Sequence, residues 1–281
     1  MFSGTIIWGL LPRAALFLAA ICLLVSAIGF RKVVYFISIG YGYSMAAMAV
    51  ACLLLARGGA GSVTWAVAAL IAVYGLRLGT YLAVRESKPD YRASQAPEDK
   101  RAGLGALAIR LAIWVSVSAL YVALFMPTLS RFAAEASGRS DPLPALSIAG
   151  AAIMAAGLFI ETLADLQKSR AKKAAPGRFC DSGLYRLSRC PNYFGETLVW
   201  TGNLIAGAPL LGNALAWIVA AAGWAVILLI MVGSAKSLEA KQERRYGSDA
   251  EFRRYASSVP ILVPFLPVYS LGDAKLYLGS R

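Results

Sequence analysis

Apolar residues run through the chain in long blocks separated by short polar stretches. Seven blocks, at roughly 6–29, 33–56, 62–84, 105–129, 143–165, 192–212 and 213–235, each approach the ~20 residues a helix needs to cross a bilayer. The pattern predicts an all-α fold, a polytopic membrane helix bundle with about seven transmembrane helices. Pro209 and Gly212 predict a tight hairpin between the sixth and seventh. Beyond the last block, Ser237 to Gly247 reads as a charged amphipathic helix. Tyr255 and the apolar, proline-punctuated stretch from Val259 to Pro267 follow. Such a tail is expected to lie along the interface and cap the mouth of the bundle. No internal period is visible, so residues 1–281 read as a single membrane domain. The first block lacks a basic leader and a cleavage pattern, and reads as a retained signal anchor.

Composition agrees: 58% of the 281 residues are apolar, and the mean hydropathy is +0.62. The formal net charge of +13 raises nucleic acid as a partner, but the basic residues cluster between apolar blocks, which excludes that reading. With loops assigned alternately to two faces, 22 of the 28 Lys and Arg fall on one face. Only Arg57, Arg131 and Arg139 fall on the other, and Arg13, Arg77 and Arg110 lie inside blocks. The positive-inside rule then predicts an external N-terminus and a cytoplasmic C-terminus. There is no histidine, which excludes a histidine-based triad, a histidine-ligated haem or di-iron site and a histidine-box hydroxylase. The four cysteines show no CxxC pair, so neither a disulfide framework nor a metal site is expected.

Candidate chemistry begins at Pro191, which is pre-set for the first turn of a helix. Asn192, Glu196 and Trp200 follow at intervals of four and share one face. A carboxylate in a membrane helix is costly and marks a function or a buried partner. Asn192 and Glu196 suit a carboxamide such as that of nicotinamide; a helix cap with an inter-helix hydrogen bond is the alternative. In the third block Tyr74, Arg77 and Tyr81 lie on one stripe. Arg77 either snorkels, pairs with Glu161 or Asp165, or meets a ligand phosphate. The second block opens Gly40-Tyr-Gly-Tyr-Ser44, where glycines serve helix packing or hydroxyls face a polar group. Glu161 and Asp165, four apart, precede Lys168, Arg170, Lys172, Lys173 and Arg178. Carboxylates accept from ribose hydroxyls and guanidinium binds phosphate, while the alternative is an ordinary basic flank touching anionic lipid.

The order of these motifs, Asp165 with a basic cluster, Gly183-Leu-Tyr185, Pro191-Asn-Tyr-Phe-Gly-Glu196, a last helix and a basic tail, resembles the membrane steroid 5α-reductase family, as a microbial member. The match is strongest over 157–200. The resemblance implies that Asn192 and Glu196 hold the nicotinamide end of NADPH and that Asp165 and Lys172, with Arg170 and Arg178 nearby, meet ribose and phosphate. It places the catalytic tyrosine on Tyr74 and a phosphate-binding arginine on Arg77, with Tyr81 and Tyr185 completing the cofactor set. Residues 1–129 would form the substrate side and 143–268 the NADPH-binding side. Well-known members carry a Gln-Glu pair in the second helix; by position Tyr43 and Ser44 stand there instead. Lys236, Glu239 and Arg244 are expected to take part of the role of the family's last helix.

The implied reaction is NADPH-dependent reduction of the double bond of an α,β-unsaturated ketone such as a 3-oxo-Δ4 steroid, with Tyr74 polarising the carbonyl oxygen. The expected partners are a hydrophobic small molecule and membrane lipid, with the chain acting as a monomer. The expected location is the inner membrane of a bacterium or the endoplasmic reticulum of a eukaryote, with the active site open to the cytoplasm. Two rivals share the architecture. One is an S-adenosylmethionine-dependent methyltransferase of the isoprenylcysteine or phospholipid type, resting on Tyr185, Arg189, Pro191 and Glu239 to Gly247. The other is a non-catalytic lipid-binding or transport protein.

Overall fold

The computed structural model describes residues 11–56, 59–88 and 104–274, which are mostly helical, with no strand among them. Eight α-helices follow in order: α1 Leu11–Ser26, α2 Ile39–Ala56, α3 Ser62–Ser87, α4 Leu104–Ala136, α5 Pro144–Ala174, α6 Pro191–Gly207, α7 Ala214–Tyr246 and α8 Ala250–Ser258. Six helical segments among the described residues are long and apolar enough to cross a membrane: Leu11–Phe30, Val33–Ala56, Ser62–Ser87, Leu104–Ala136, Pro144–Ala174 and Ala214–Tyr246. The chain is thus an integral membrane protein by length and composition.

The block at 192–212 behaves differently from the other six. It forms α6, 17 residues long, and then a 3-10 turn at Ala208–Leu210 that carries Pro209. At 1.5 Å per residue α6 reaches about 26 Å, short of the ~30 Å hydrocarbon core. Several helices outrun their apolar blocks instead. Helix α5 continues through the basic cluster and stops just before Pro176 and Gly177. The residues expected to form a separate amphipathic helix after 236 are the last turns of α7, because nothing between Ala235 and Tyr246 breaks a helix. Asp90, Arg92, Lys100 and Arg101, charged residues between the third and fourth blocks, lie outside the described residues, as do Arg57 and the start of the first block.

The chain divides into two compact units, one of Met1–Ala151 with Asn203–Trp224, the other of Ala152–Gly202 with Ala225–Arg281. The start of α5 and the α6–α7 hairpin belong to the first unit.

In the first unit α2 and α3 touch backbone to backbone. A Cβ added at Gly42 would stand 2.5 Å from the Gly79 nitrogen, so the Gly40–Ser44 stretch serves helix packing here. Pro127 lies inside α4, where a proline frees backbone groups. Next to it, Asn203 donates to the Leu124 carbonyl at 2.8 Å and accepts from Thr128 Oγ1 at 2.6 Å.

Arg131, assigned from the sequence to an external loop, is inside α4 and 1% exposed. The helix runs seven residues past the end of its apolar block, because Ser130 to Ala136 contains no breaker. All five guanidinium N–H groups find acceptors: Thr64 Oγ1 at 2.8 Å, Ser147 Oγ at 2.8 Å, the Ala206 carbonyl at 2.7 Å, Asp141 at 3.0 Å and Glu135 at 3.5 Å. Helices α3, α4, α5 and α6 and the α4–α5 loop are tied together at this one side chain.

In the second unit α5 and α6 meet in the same manner as α2 and α3. A Cβ at Gly157 would lie 2.5 Å from the Gly195 carbonyl, and one at Gly195 would lie 2.7 Å from the Glu161 nitrogen. Gly195 of the Asn-Tyr-Phe-Gly-Glu motif is therefore a packing residue, and it brings the helix that carries Glu196 onto the helix that carries Glu161.

Candidate functional site

The sequence-derived candidates fall into two groups, one in each unit. In the first unit Tyr74 is fully buried on α3, and its hydroxyl donates to the hydroxyl of Tyr41 on α2 at 3.0 Å. The two rings meet edge to face at 6.2 Å, and Tyr41 in turn packs against Tyr121 at 5.1 Å. Tyr121 donates to the Phe36 carbonyl at 2.6 Å. A buried phenol needs a partner for its hydroxyl, and this chain of rings provides one. Arg77 and Tyr81 follow on α3 and are half-buried.

Tyr43 and Ser44, the positions named for the missing Gln-Glu pair, lie on α2. Tyr43 is half-buried and its hydroxyl pairs with Thr80 Oγ1 at 3.3 Å. Ser44 is buried on the same helix. The residue that reaches Tyr74 is Tyr41, which sequence reasoning passed over. Its signal was present in the Gly40-Tyr-Gly-Tyr-Ser44 run. The rotation of α2 set by the Gly42 contact turns Tyr41, and not Tyr43, toward Tyr74.

In the second unit Pro191 opens α6 as predicted, and Asn192 and Glu196 follow one turn apart. Glu196 and Trp200 are buried. Asn192 is half-buried, yet its side-chain oxygen is fully buried and has no hydrogen-bond partner among the described residues. Glu161 and Asp165 are both buried on α5, so the second unit holds three buried carboxylates, at 3%, 7% and 7% exposure for Glu161, Asp165 and Glu196.

The basic candidates are less buried and are engaged within the unit. Lys172 donates to the Tyr246 hydroxyl at 2.6 Å and to the Arg178 carbonyl. Arg178 is exposed and pairs with Asp181 at 2.9 Å and Glu251 at 2.8 Å, which together raise its already high pKa. Beneath them lies an aromatic knot of Phe179, Tyr246, Phe252 and Tyr255. Arg170 is exposed and opens onto a shallow depression with Gln167, Ser182 and Gly183. Tyr185 is buried, directs its hydroxyl to the Ala164 carbonyl at 3.4 Å and accepts from Tyr255 at 2.8 Å through its own carbonyl.

The turn before α6 is locked to the tail. Arg189 is 2% exposed and donates to Glu239 at 3.0 Å and to the Tyr269 carbonyl at 3.1 Å, while its Nε has no acceptor among the described residues. Burial pushes the neighbouring Cys190 thiol up to about 12, so it is neither a nucleophile nor an acid near neutral pH. Lys236 donates to the Ala274 carbonyl at 2.5 Å.

No curated protein and no solved structure matches the chain. A family model described as "Protein of unknown function (DUF1295)" matches residues 25–259, and that family is associated with steroid 5α-reductase-like membrane proteins. The chain belongs to the DUF1295 family.

Proposed function

We propose that the protein is an NADPH-dependent reductase of the carbon–carbon double bond of an α,β-unsaturated ketone, such as a 3-oxo-Δ4 steroid. One observation carries the reading: a carboxamide oxygen, on Asn192, buried without a donor among the described residues and one turn from the buried carboxylate of Glu196. A buried acceptor left unmade costs about 1–3 kcal/mol, a cost that a ligand N–H removes. The carboxamide of a nicotinamide carries two such N–H groups, and Asn192 Oδ1 and Glu196 can each accept one.

Asp165 and Glu161 are the acceptors for ribose hydroxyls in this reading. Lys172 and Arg178 supply charge to the phosphates by exchanging partners. For Arg178 the exchange is inexpensive, because exposed ion pairs contribute little. Arg77 and Tyr81 remain the further phosphate and positioning candidates on α3. Bound NADPH supplies the hydride.

In the first unit Tyr74 is the proton or hydrogen-bond donor for the ketone oxygen, and Tyr41 is the residue that orients it. When the Tyr74 hydroxyl turns to a carbonyl, the Tyr41 hydroxyl can donate to the oxygen it previously accepted from. The tyrosine pair thereby does the work that the Gln-Glu pair of the second helix does in the resembling family.

A second reading, S-adenosylmethionine-dependent methyl transfer, is favoured by the buried Arg189 Nε that lacks an acceptor. Against it stand the pairing of Arg189 with Glu239 and the inert Cys190 thiol. The deciding experiment is NADPH oxidation by the detergent-purified chain with a Δ4-3-keto steroid, beside thermal-shift titrations with NADPH, NADH and S-adenosylmethionine. Steroid-dependent NADPH consumption and an NADPH-selective shift are expected. A shift with S-adenosylmethionine alone would move the assignment to methyl transfer, and no shift with any of the three would leave a non-catalytic lipid-binding protein.

A further inference from the structure

After α8 the chain makes a loop whose base and tip have opposite character. The base is fixed within the second unit. The Arg189 amide donates to the Pro260 carbonyl at 2.8 Å, Ser188 Oγ donates to the Leu262 carbonyl at 2.8 Å, and the Ile261 amide donates to the Val268 carbonyl at 2.9 Å. Ile261 is 1% exposed and packs on Cys190 and Ala235. The returning strand of the loop is held by the Leu271 amide on Glu239 at 2.9 Å.

The tip is a run of apolar residues facing outward. Val263, Phe265, Leu266, Pro267, Val268 and Tyr269 are all exposed, Phe265 at 87%. Phe265 has φ +66°, a conformation that bulky side chains seldom adopt, between Pro264 and Pro267. Water-facing turns are built from Gly, Asn, Asp and Ser, so a rigid turn presenting an aromatic ring and aliphatic neighbours is the reverse of what aqueous exposure favours.

The height of the loop along α7 identifies what covers the tip. Its base packs at Ala235, and its flanks bond to Lys236 and Glu239. This is where α7 changes from an apolar run to charged turns, the level at which a spanning helix leaves the hydrocarbon. Helix α8, just before the loop, carries the exposed Arg253 and Arg254, a charge that matches anionic headgroups. We propose that Val263–Tyr269 is a membrane wedge. It inserts Phe265 and its neighbours into the boundary between acyl chains and headgroups of the leaflet at this end of α7, with Arg253 and Arg254 on anionic lipid phosphates. The wedge does not depend on the reductase reading.

The test uses the full chain in vesicles of phosphatidylcholine and phosphatidylglycerol. The four native cysteines are all buried, so Phe265→Cys can be spin-labelled selectively. A label on Glu243→Cys, exposed on the charged end of α7 and about 10 Å further along that helix, serves as reference. The expected result is a ratio of oxygen to nickel-chelate accessibility at least about threefold higher at 265 than at 243, as for a side chain within the interface. Equal ratios would place the loop in water and overturn the proposal. Dipolar broadening of the 265 label would also overturn it, by showing that a second copy covers the tip. Should the Phe265 variant fail to fold, Leu266→Cys gives the same readout one residue on.

Discussion

Arg131 in the first unit and Asn192 in the second are both polar groups set in apolar surroundings, and the protein treats them in opposite ways. Around Arg131 every N–H has an acceptor, the carboxylates of Glu135 and Asp141 both pair with the guanidinium, and Thr64 and Gly61 hold Glu135 in turn. Such a centre leaves nothing for a ligand to satisfy. At Asn192 a buried oxygen waits for a donor beside a buried carboxylate. Complete satisfaction is what a structural device needs, whereas an orphaned acceptor is what a binding site tolerates in exchange for affinity.

The largest effect is expected at the satisfied centre. Arg131→Ala removes a buried guanidinium and leaves the half-buried Glu135 and Asp141 without their cation, and should cost up to roughly 3–5 kcal/mol, the upper scale for breaking a buried pair. Thermal unfolding in detergent should show that loss, with ligand binding and turnover falling together. If Arg131→Ala unfolded at the same temperature as the parent, the network would be ornamental and the contrast would collapse.

Next comes Tyr74→Phe, which should lower turnover by about 10²–10³, within the range for a positioned acid, and leave NADPH binding and melting temperature nearly unchanged. Tyr41→Phe should cost roughly tenfold, as an orienting hydrogen bond does, with the effect on turnover rather than on Michaelis constant. Steady-state kinetics on both variants separate the roles. Full activity in Tyr74→Phe would remove it from the mechanism.

Asn192→Ala should weaken NADPH binding about tenfold while raising or preserving stability, since it deletes an unsatisfied acceptor. This sign is the sharpest contrast with Arg131, and a calorimetric titration with NADPH beside a melting curve reads both. A destabilised Asn192→Ala with unaltered binding would make Asn192 structural.

The smallest effect concerns pH. Burial pushes the Asp141 carboxyl up, but Ser147, the Leu143 amide and Arg131 outweigh it and hold the carboxyl below the usual carboxylate range. A depressed folded-state pKa stabilises above the unfolded value of about 3.9, and the contribution is lost as the pH falls through the folded value. Melting temperature should therefore decline below about pH 4, and Asp141→Asn should flatten that decline.

The two centres were unequally visible in the sequence. Asn192 and Glu196 stand four apart after a proline, and helical periodicity alone puts them on one face. Hydropathy puts Arg131 in a loop, because it locates the apolar block and not the end of the helix. Once α4 runs on to Ala136, the same residue is enclosed. The short α6 shows the converse, an apolar block that continues past the helix into a turn.

The sequence by itself determined that the chain is a helical membrane protein, because a block of ~20 apolar residues has no other way to satisfy its backbone in lipid. It also determined which side chains share a helix face, since 3.6 residues per turn is a property of the backbone and not of its neighbours. The tertiary structure decided which of those faces meet. The close approach at Gly42 and Gly79 selects Tyr41 as the partner of Tyr74, and the contact of Gly157 with Gly195 brings α6 against Glu161. Lys172 and Arg178, legible as a basic cluster, turn out to be tied to Tyr246, Asp181 and Glu251. The reason is common to all of these: spacing fixes direction along one helix, but a hydrogen bond between elements depends on the rotation and separation that packing sets.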